Sequence, residues 1–466
     1  MPYPRIPVFL PLFALVWFTV APAAAQVATT PRAAGFAGAF VALARGHEAA
    51  DWNPANLGLP GQPPWSVAVP NLALMGAAGG PPLGELRMLL RSDLSESDRR
   101  AFLDLVPNAG LDFRGDVHVP WFGASVGRLA FGVSSTALVD VHATRGMVDM
   151  YLEARQEGRL DVERIGDYRV DGTAFRGAVL SRAVVAYGHP VSFLSVPASV
   201  GVAARAVVGH GLREGRIYDP VLDLENLDVK ITMLAMGGPT GYGFGFDVGL
   251  AAQPLRGLTV GLSVENLVQT MTWRGRLEVR GGEFTDAELA DMEPADFADR
   301  FEPRPYVPEL GPPEADALAN TILQGAMPPR IVRLGTAYEF GGTAVGVTFS
   351  QTAGSGRLHA GWPMYLAAGA EQRLWPSLRV RGGVATSLSG ATAVAIGSSV
   401  SMGAAQLTLA AVRASGVGSG GEADAAPGLD VGIGFPDRLA QTTGYTLLVG
   451  LDVRKAPPPP RRNRRS

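Results

Sequence analysis

The chain has 466 residues, of which 59 are glycine and none is cysteine, and its 40 basic residues nearly balance 43 acidic ones. A formal charge of −3 argues against a nucleic-acid surface, and the lack of cysteine excludes both disulfides and a lipoprotein anchor. Lys230 and Lys455 are the only lysines, a bias that reads as coding composition rather than as selection for bidentate recognition.

The first residues set the compartment. Arg5 precedes an apolar run from Ile6 to Val20, and Ala23-Ala24-Ala25 supplies a small-residue cleavage site. The pattern predicts a secretory signal over residues 1–25 and a mature start at Gln26. No later apolar run reaches the roughly 18 residues of a membrane helix. An exported chain of this kind is periplasmic, secreted or a closed barrel.

Residues 26–62 come next, centred on RAAGFAGAFVALARGHEAADWNPANLGL. Gly35 and Gly38 open it, and Trp52-Asn53-Pro54-Ala55-Asn56 closes it. Pro54 bars helix continuation, and an Asn on each side of Pro54-Ala55 favours side-chain-to-backbone turns. A short helical or coiled segment ending in a tight turn is expected.

From residue 63 the period is mainly two. Residues 64–74 read as a first strand, 116–127 and 129–143 as a hairpin around Gly127-Arg128, and 174–189 and 195–210 as further strands. The segments 227–236, 241–252, 257–268 and 271–280 read as four strands. Beyond Pro329 they recur at 330–340, 343–351, 364–374, 377–387, 391–402, 404–414, 428–435 and 442–454. Three stretches interrupt them, at 79–115, 145–172 and 281–328. In the first, Ser95 is an expected N-cap, with Phe102, Leu105 and Val106 on one helical face. The second is charge-rich and helical, and the third is a long acidic, Pro-rich loop. Residues 455–466, KAPPPPRRNRRS, read as a disordered tail.

So many strands in meander order exceed an ordinary sandwich, which favours a barrel. In 258–265, Leu258, Val260, Leu262 and Val264 alternate with Thr259, Gly261, Ser263 and Glu265, as a strand between lipid and a polar lumen would. Likewise Tyr242, Phe244, Phe246 and Val248 should face out, leaving Gly243, Gly245, Asp247 and Gly249 inside. Glycine there would let another segment pack close to the wall. By the same phase test Asp247, Glu265, Arg333, Glu339, Glu371, Arg379 and Arg381 are lumen-facing charges, as are Arg373 and Asp452. The closing strand, 442–454, should seal against the first, so that no sheet edge is left in lipid. Trp65, Trp121, Trp273, Trp362 and Trp375 lie near strand ends, where an aromatic girdle would sit.

Enzymatic motifs are weak. His47-Glu48-Ala49-Ala50-Asp51 approximates a zinc motif but turns at Pro54 and lacks a third ligand. Gly123-Ala124-Ser125-Val126-Gly127 matches a nucleophile elbow, yet a strand follows where a helix is required. The GxGxxG at 416–421 lacks a phosphate-facing helix and reads as a hairpin tip. No catalytic residue, metal or cofactor is expected.

The Gly35–Phe40 run followed by Asn53-Pro54-Ala55 resembles the start of mature outer-membrane barrels of the FadL-type long-chain fatty-acid transporter superfamily, including its PorV-like branch. GYGFGFDVGLAAQPLRGLTVGLSVENL at 241–267 and YLAAGAEQRLWPSLRVRGGVATS at 365–387 are similar to paired strands of that superfamily. The resemblance does not cover the loops at 147–168 and 283–328, and the tail departs from barrels that end in an aromatic residue. It implies an all-β fold: a transmembrane antiparallel meander β-barrel of about 14 strands with helical loop insertions. It also implies that Gly35, Gly38, Trp52, Asn53, Pro54, Ala55 and Asn56 belong to a hatch folded into the lumen. The function implied is passage of hydrophobic or amphipathic small molecules across the bacterial outer membrane, gated by that hatch. The alternative is a PorV-like, non-enzymatic scaffold for exported proteins. The implied partners are the bilayer, a hydrophobic ligand and, for the scaffold, an exported protein, with no nucleic acid.

Overall fold

The structure is a computed structural model that describes residues 30–70, 72–79, 85, 94–108, 110–157, 168–170, 172–191, 196–223, 228–284, 302–304, 326–353, 358, 362–388, 390–416 and 442–454. The signal, the tail, the tip at 417–421, the strand expected at 428–435 and most of the loop at 281–328 lie outside them.

The wall is one antiparallel meander. Its first stave is broken in two, β1 (Trp65–Ala68) and β2 (Leu72–Gly79). Then follow β3 (Leu111–Val126), β4 (Leu129–Ala143), β5 (Ala174–Val191), β6 (Ala198–Asp223), β7 (Asp228–Leu255) and β8 (Leu258–Phe284). A three-residue piece, β9 (Glu302–Arg304), pairs only with β8. The remaining staves are β10 (Arg330–Phe340), β11 (Thr343–Ala353), β12 (Met364–Arg373), β13 (Leu378–Ser387), β14 (Thr392–Met402), β15 (Ala405–Gly416) and β16 (Thr442–Arg454).

Closure is direct. β16 pairs with β1 from Ser66↔Arg454 to Ala68↔Asp452, then with β2 from Leu72↔Val449 to Gly79↔Thr442. β1 and β2 both pair with β3 on the other side, so they are one stave interrupted beside Pro70, which has no N–H to give to a ladder. The result is a closed barrel of 14 strands. Every interior ladder is thereby satisfied without an edge.

Exposure alternates along the staves as lipid on one side requires. Phe244 is 69% exposed and Phe246 53%, while Gly243, Gly245, Asp247 and Gly249 are buried. Ile396 at 65%, Val394 at 56% and Val384 at 54% continue the apolar exterior on β13 and β14. One row of polar groups on the wall is paired across staves. Trp121 Nε1 donates to Ser135 Oγ, Ser135 meets Ser181, and Ser181 meets His210 Nε2, each at 2.8 Å across four adjacent staves. Trp65, Trp121 and Trp375 face outward, but Trp273 and Trp362 are buried and do not join a girdle. Trp273 instead turns in and donates its indole N–H to the carbonyl of Ala326.

Short turns gather at the end where residue 65 enters. They include Gly127-Arg128 and Gly341-Gly342, the latter with φ of 55° and 97°, the pair of left-handed residues that a two-residue hairpin of matching twist demands. The long connections emerge at the opposite end. There β6, β7 and β8 run for 26, 28 and 27 residues, far beyond the roughly 9–11 that span a bilayer. The segments expected as separate strands at 227–236 and 241–252 are thus one stave, as are those at 257–268 and 271–280. Irregular register near Gly237–Thr240 and Phe246–Val248 kinks them without ending them. The interruptions expected at 79–115 and 281–328 are correspondingly shorter, since β3 begins at Leu111 and β8 ends at Phe284.

Two helices, α3 (Glu96–Leu105) and α4 (Arg145–Glu157), pack on each other beyond the wall. Ser95 caps α3 in a full capping box with Asp98. Phe102, Val106, Val148 and Leu152 form their common core, whereas Leu105 turns outward, 43% exposed, and is not on the buried face. Arg99 ties the pair together through Asp149 at 2.8 Å and through Glu153. The hydrogen bond from Arg99 holds Glu96 below the usual carboxylate range.

Charging the exterior tests this arrangement. Ile396→Arg should cost about 2–4 kcal/mol near the bilayer midplane, lowering the heat-resistant folded fraction in outer-membrane extracts. An Ile396→Arg chain that folds as wild type would mean that this face does not meet lipid.

Candidate functional site

Residues 30–62 lie within the wall and are in contact with staves around its circumference, from β3 and β5–β8 to β13–β16. The path is a series of short turns. Helix α1 (Pro31–Gly35) is capped by Thr30 and followed by two left-handed residues, Ala37 at φ 52° and Gly38 at φ 84°. A 3-10 turn at Gly46–Glu48 leads into α2 (Ala49–Trp52). Asn53 then caps the 3-10 turn Pro54–Gly58 by accepting from the Ala55 N–H at 3.1 Å. Its amide donates to the Leu250 carbonyl on β7 at 3.1 Å. Asn56 donates to the carbonyls of Val41 and Ala44 at 2.9 and 3.0 Å, stitching the two arms of the segment together. Asn53, Ala55 and Asn56 are fully buried, so these bonds replace water that cannot reach them. Of the motif residues identified in the sequence, Trp52 to Asn56 form this turn, whereas Gly35 ends α1 and Gly38 follows it.

What admits the segment is an absence of side chains on the wall. Gly188, Gly201 and Gly249 sit opposite one another on β5, β6 and β7. Gly261 and Gly335 are paired on β8 and β10, and Gly346, Gly369 and Gly383 on β11, β12 and β13. A Cβ on any of them would run into the segment: into Ala55 N at Gly201, Asn53 at Gly249 and Gly261, Val41 at Gly335, Ala39 at Gly346, and Phe36 at Gly369 and Gly383. Eight neighbouring staves thus present bare backbone to the segment. On the remaining side the fit is apolar, with α1 against β14 and β15, where Ala393, Ala395, Ala410, Val412 and Ala414 line the interior.

Two buried ion clusters flank the segment. In the first, Glu265 takes Arg333 at 2.8 Å, Arg205 at 3.3 Å and Arg182 at 3.5 Å. Arg205 also holds Asp247 at 2.5 Å, and the segment enters through Asp51, 3.0 Å from Arg182 and 3.6 Å from Arg205. Three guanidiniums face three carboxylates, so this cluster carries no net charge. In the second, Glu371 takes Arg381 at 2.8 Å, Arg379 at 3.9 Å and the segment's Arg32 at 3.7 Å. Arg32 also meets Glu48 at 3.5 Å. Glu339 stands apart near the mouth, 52% exposed, 3.8 Å from Arg45.

An aromatic bridge joins the clusters. Arg32 lies 5.2 Å over Phe40, Phe40 meets Trp52 edge-on at 5.5 Å, and Arg333 lies 5.1 Å over Trp52. Of the nine charges expected in the lumen, Asp247, Glu265 and Arg333 meet in one cluster and Glu371, Arg379 and Arg381 in the other, Asp452 faces His47, and Glu339 and Arg373 are exposed. The sequence reading missed Arg32, Glu48, Asp51, Arg182 and Arg205. The phase test would have found Arg182 and Arg205, because both break the runs of small residues on β5 and β6.

The enzymatic motifs dissolve into structural contacts. His47, Glu48 and Asp51 reach three different partners, and among the described residues no group of metal-ligating side chains forms. His47 Nδ1 lies 3.1 Å from Ser66 Oγ, which lies 2.7 Å from Ser125, while Nε2 faces Asp452 at 3.6 Å. That Asp–His–Ser order has the look of a hydrolytic relay. However, Ser66 and Ser125 are 1% and 3% exposed, and Ser66 also accepts the backbone N–H of His47. The chain of contacts pins the segment to β1, β3 and β16, the staves of the closure seam.

Neither a known family profile nor any curated protein matches this chain in sequence. Solved structures do. The CymD monoaromatic hydrocarbon channel superposes with a TM-score of 0.51 at 12% identity, over 92% of this chain and 97% of that one. That likeness is one of fold, a closed antiparallel barrel of 14 strands. The toluene transporter TbuX of Ralstonia pickettii aligns over 90% of this chain and 98% of that one, at 13% identity and a TM-score of 0.46. A Pseudomonas aeruginosa FadL homologue aligns over 94% and 99%, at 10% identity and a TM-score of 0.44.

Arg205 is the cation on which the first cluster turns. Arg205→Met should leave Asp247 and Glu265 under-compensated and cost about 3–5 kcal/mol, whereas Arg379→Ala, one-third exposed, should cost under about 1 kcal/mol. Thermal unfolding of the purified barrel ranks them, and equal midpoints would contradict the buried network. Gly201→Val should overpack the wall against Ala55 and cost about 1–3 kcal/mol, which limited proteolysis of residues 30–62 reads as faster cleavage. An unchanged cleavage rate would mean that the segment does not rest on that glycine.

Proposed function

We propose that the protein is an outer-membrane channel for hydrophobic or amphipathic small molecules, with the N-terminal segment as its hatch. The observation that carries this reading is the filling of the lumen. The segment occupies a barrel whose wall is bared to receive it, and it is held by hydrogen bonds and ion pairs as well as by apolar packing. Phe36, Phe40 and Trp52, with Trp362 and Tyr365 of the wall side, give an apolar solute something to slide along. The architecture shared with a monoaromatic hydrocarbon channel supports the same reading, as does the apolar exterior.

Reconstitution tests it. Liposomes carrying the full chain should admit pyrene faster than protein-free liposomes, and a chain lacking residues 27–58 should show raised ion conductance in planar bilayers. Pyrene entry no faster than the blank would remove the channel. Unchanged conductance after the deletion would remove the hatch.

A further inference from the structure

The outward face of the wall carries two arginines that the lumen does not use. Arg213 on β6 and Arg274 on β8 are exposed, whereas their sequence neighbours Leu212, Glu214 and Trp273 are buried toward the interior. Arg213 donates to the carbonyl of Leu212 at 3.3 Å, and among the described residues neither arginine meets a carboxylate. Glu214, Asp247 and Glu265, on the same three staves, are turned inward, where Arg176 and Arg205 hold them. A guanidinium stays ionised at any working pH, so the outward charge is permanent.

Register places these arginines at the top of a graded surface. Thr240 on β7 stands opposite Arg274, and the pair Gly209↔Gly241 puts His210 on β6 beside Thr240. His210 is exposed there, with Nε2 2.8 Å from Ser181 Oγ. The next outward row is centred on Tyr242, opposite Val208 and Thr272, and the rows after it on Phe244 and Phe246. Tyr242 is 54% exposed, and Phe244 and Val268 are more so, which leaves an open bed beside the cations. Counted from the short-turn end of each stave, the row of His210, Thr240 and Arg274 lies beyond the roughly 9–11 residues that cross the hydrocarbon. It therefore stands at the level of lipid head groups. Short turns of a bacterial barrel face the periplasm, so these head groups belong to the outer leaflet.

Adjacent staves are about 4.8 Å apart, which sets the backbones of Arg213 and Arg274, two staves from each other, roughly 10 Å apart. That is wider than one phosphate and suits a head group phosphorylated at both ends. Guanidinium forks match phosphate oxygens bidentately, and the apolar rows below them suit acyl chains. We infer that this face is a binding site for a bisphosphorylated glycolipid of lipid A type, its phosphates on Arg213 and Arg274 and its acyl chains along Phe244, Phe246 and Val268. The site lies on the outside of the barrel and is independent of passage through the lumen.

The test is native mass spectrometry of the full-length protein, delipidated in non-ionic detergent and titrated with diphosphoryl and monophosphoryl lipid A of one acyl pattern. The diphosphoryl lipid should bind at least about fivefold more tightly, as one charge-assisted hydrogen bond allows. The double variant Arg213→Gln with Arg274→Gln should bring that ratio to about one in protein whose heat-modifiable mobility shows it folded. Arg256→Gln, which removes an exposed arginine from a turn at the periplasmic end, should leave the ratio as in wild type. Equal binding of the two lipids by the wild type overturns the inference, as does an unchanged ratio in the folded double variant. An equal loss in Arg256→Gln overturns it too, because the preference would then come from diffuse charge rather than from this face.

Discussion

A barrel of 14 strands encloses more width than its own inward side chains readily fill, and this is the constraint on which the rest of the structure depends. Closure satisfies the backbone but leaves a lumen to be occupied. Here the occupant is a stretch of the same chain, with its own carbonyls and N–H groups that also need partners. A wall of ordinary side chains would hold it too far away for backbone contact. Glycines on eight neighbouring staves bring the wall within reach, and the two Asn side chains of the turn supply hydrogen bonds between and within the arms. The shape of the segment and the bareness of the wall are therefore one feature, written in two distant parts of the sequence.

Burying ion pairs in such a lumen adds little net stability, because the desolvation of each charge offsets most of its attraction. The clusters contribute selectivity of placement instead. Asp51 lies between Arg182 and Arg205, and Arg32 reaches Glu371, Glu48 and the Phe40 ring together. The aromatic bridge through Phe40 and Trp52 joins these two sites in one row of contacts.

Much of the wall was legible because a stave between lipid and lumen has a strict period of two. Phe244 and Phe246 against Gly245 and Asp247 could hardly be read otherwise. Stave length was less legible. Glycines and Pro239 near residue 238 look like punctuation in one dimension, whereas long neighbouring staves carry β7 through them as an irregularity. The site was half visible. Inward charges announce themselves by phase, but their partners do not, since Asp51 and Glu265 meet only through Arg182 and Arg205 on two other staves. Trp273 misled for a similar reason: a tryptophan near a strand end satisfies a girdle and a lumen equally well until Gly209 and Gly241 show which side has room for its ring.

The distribution of contacts also constrains how the lumen could open. From Gly46 to Leu59 the segment is pinned at the closure seam by His47 and at β5, β6 and β7 by backbone against bare glycine. Lifting that part would expose unpaired peptide groups on both sides, each costly in a dry interior. The arm from Pro31 to Ala44 also rests on bare glycine from Phe36 to Val41, but its first turn is held differently. Around α1 it meets β14 and β15 mainly through alanine and valine side chains, a surface without directional bonds that can slide by small steps. Its charged tie there is Arg32, whose partner Glu371 retains Arg381 and Arg379 if Arg32 withdraws. A carboxylate left with two guanidiniums stays compensated, so releasing this arm costs less than releasing the turn at Asn53-Pro54. In the channel proposed above, the lumen would therefore open more easily on the side of β14 and β15 than at the Asn-Pro turn, which rests on the glycine wall.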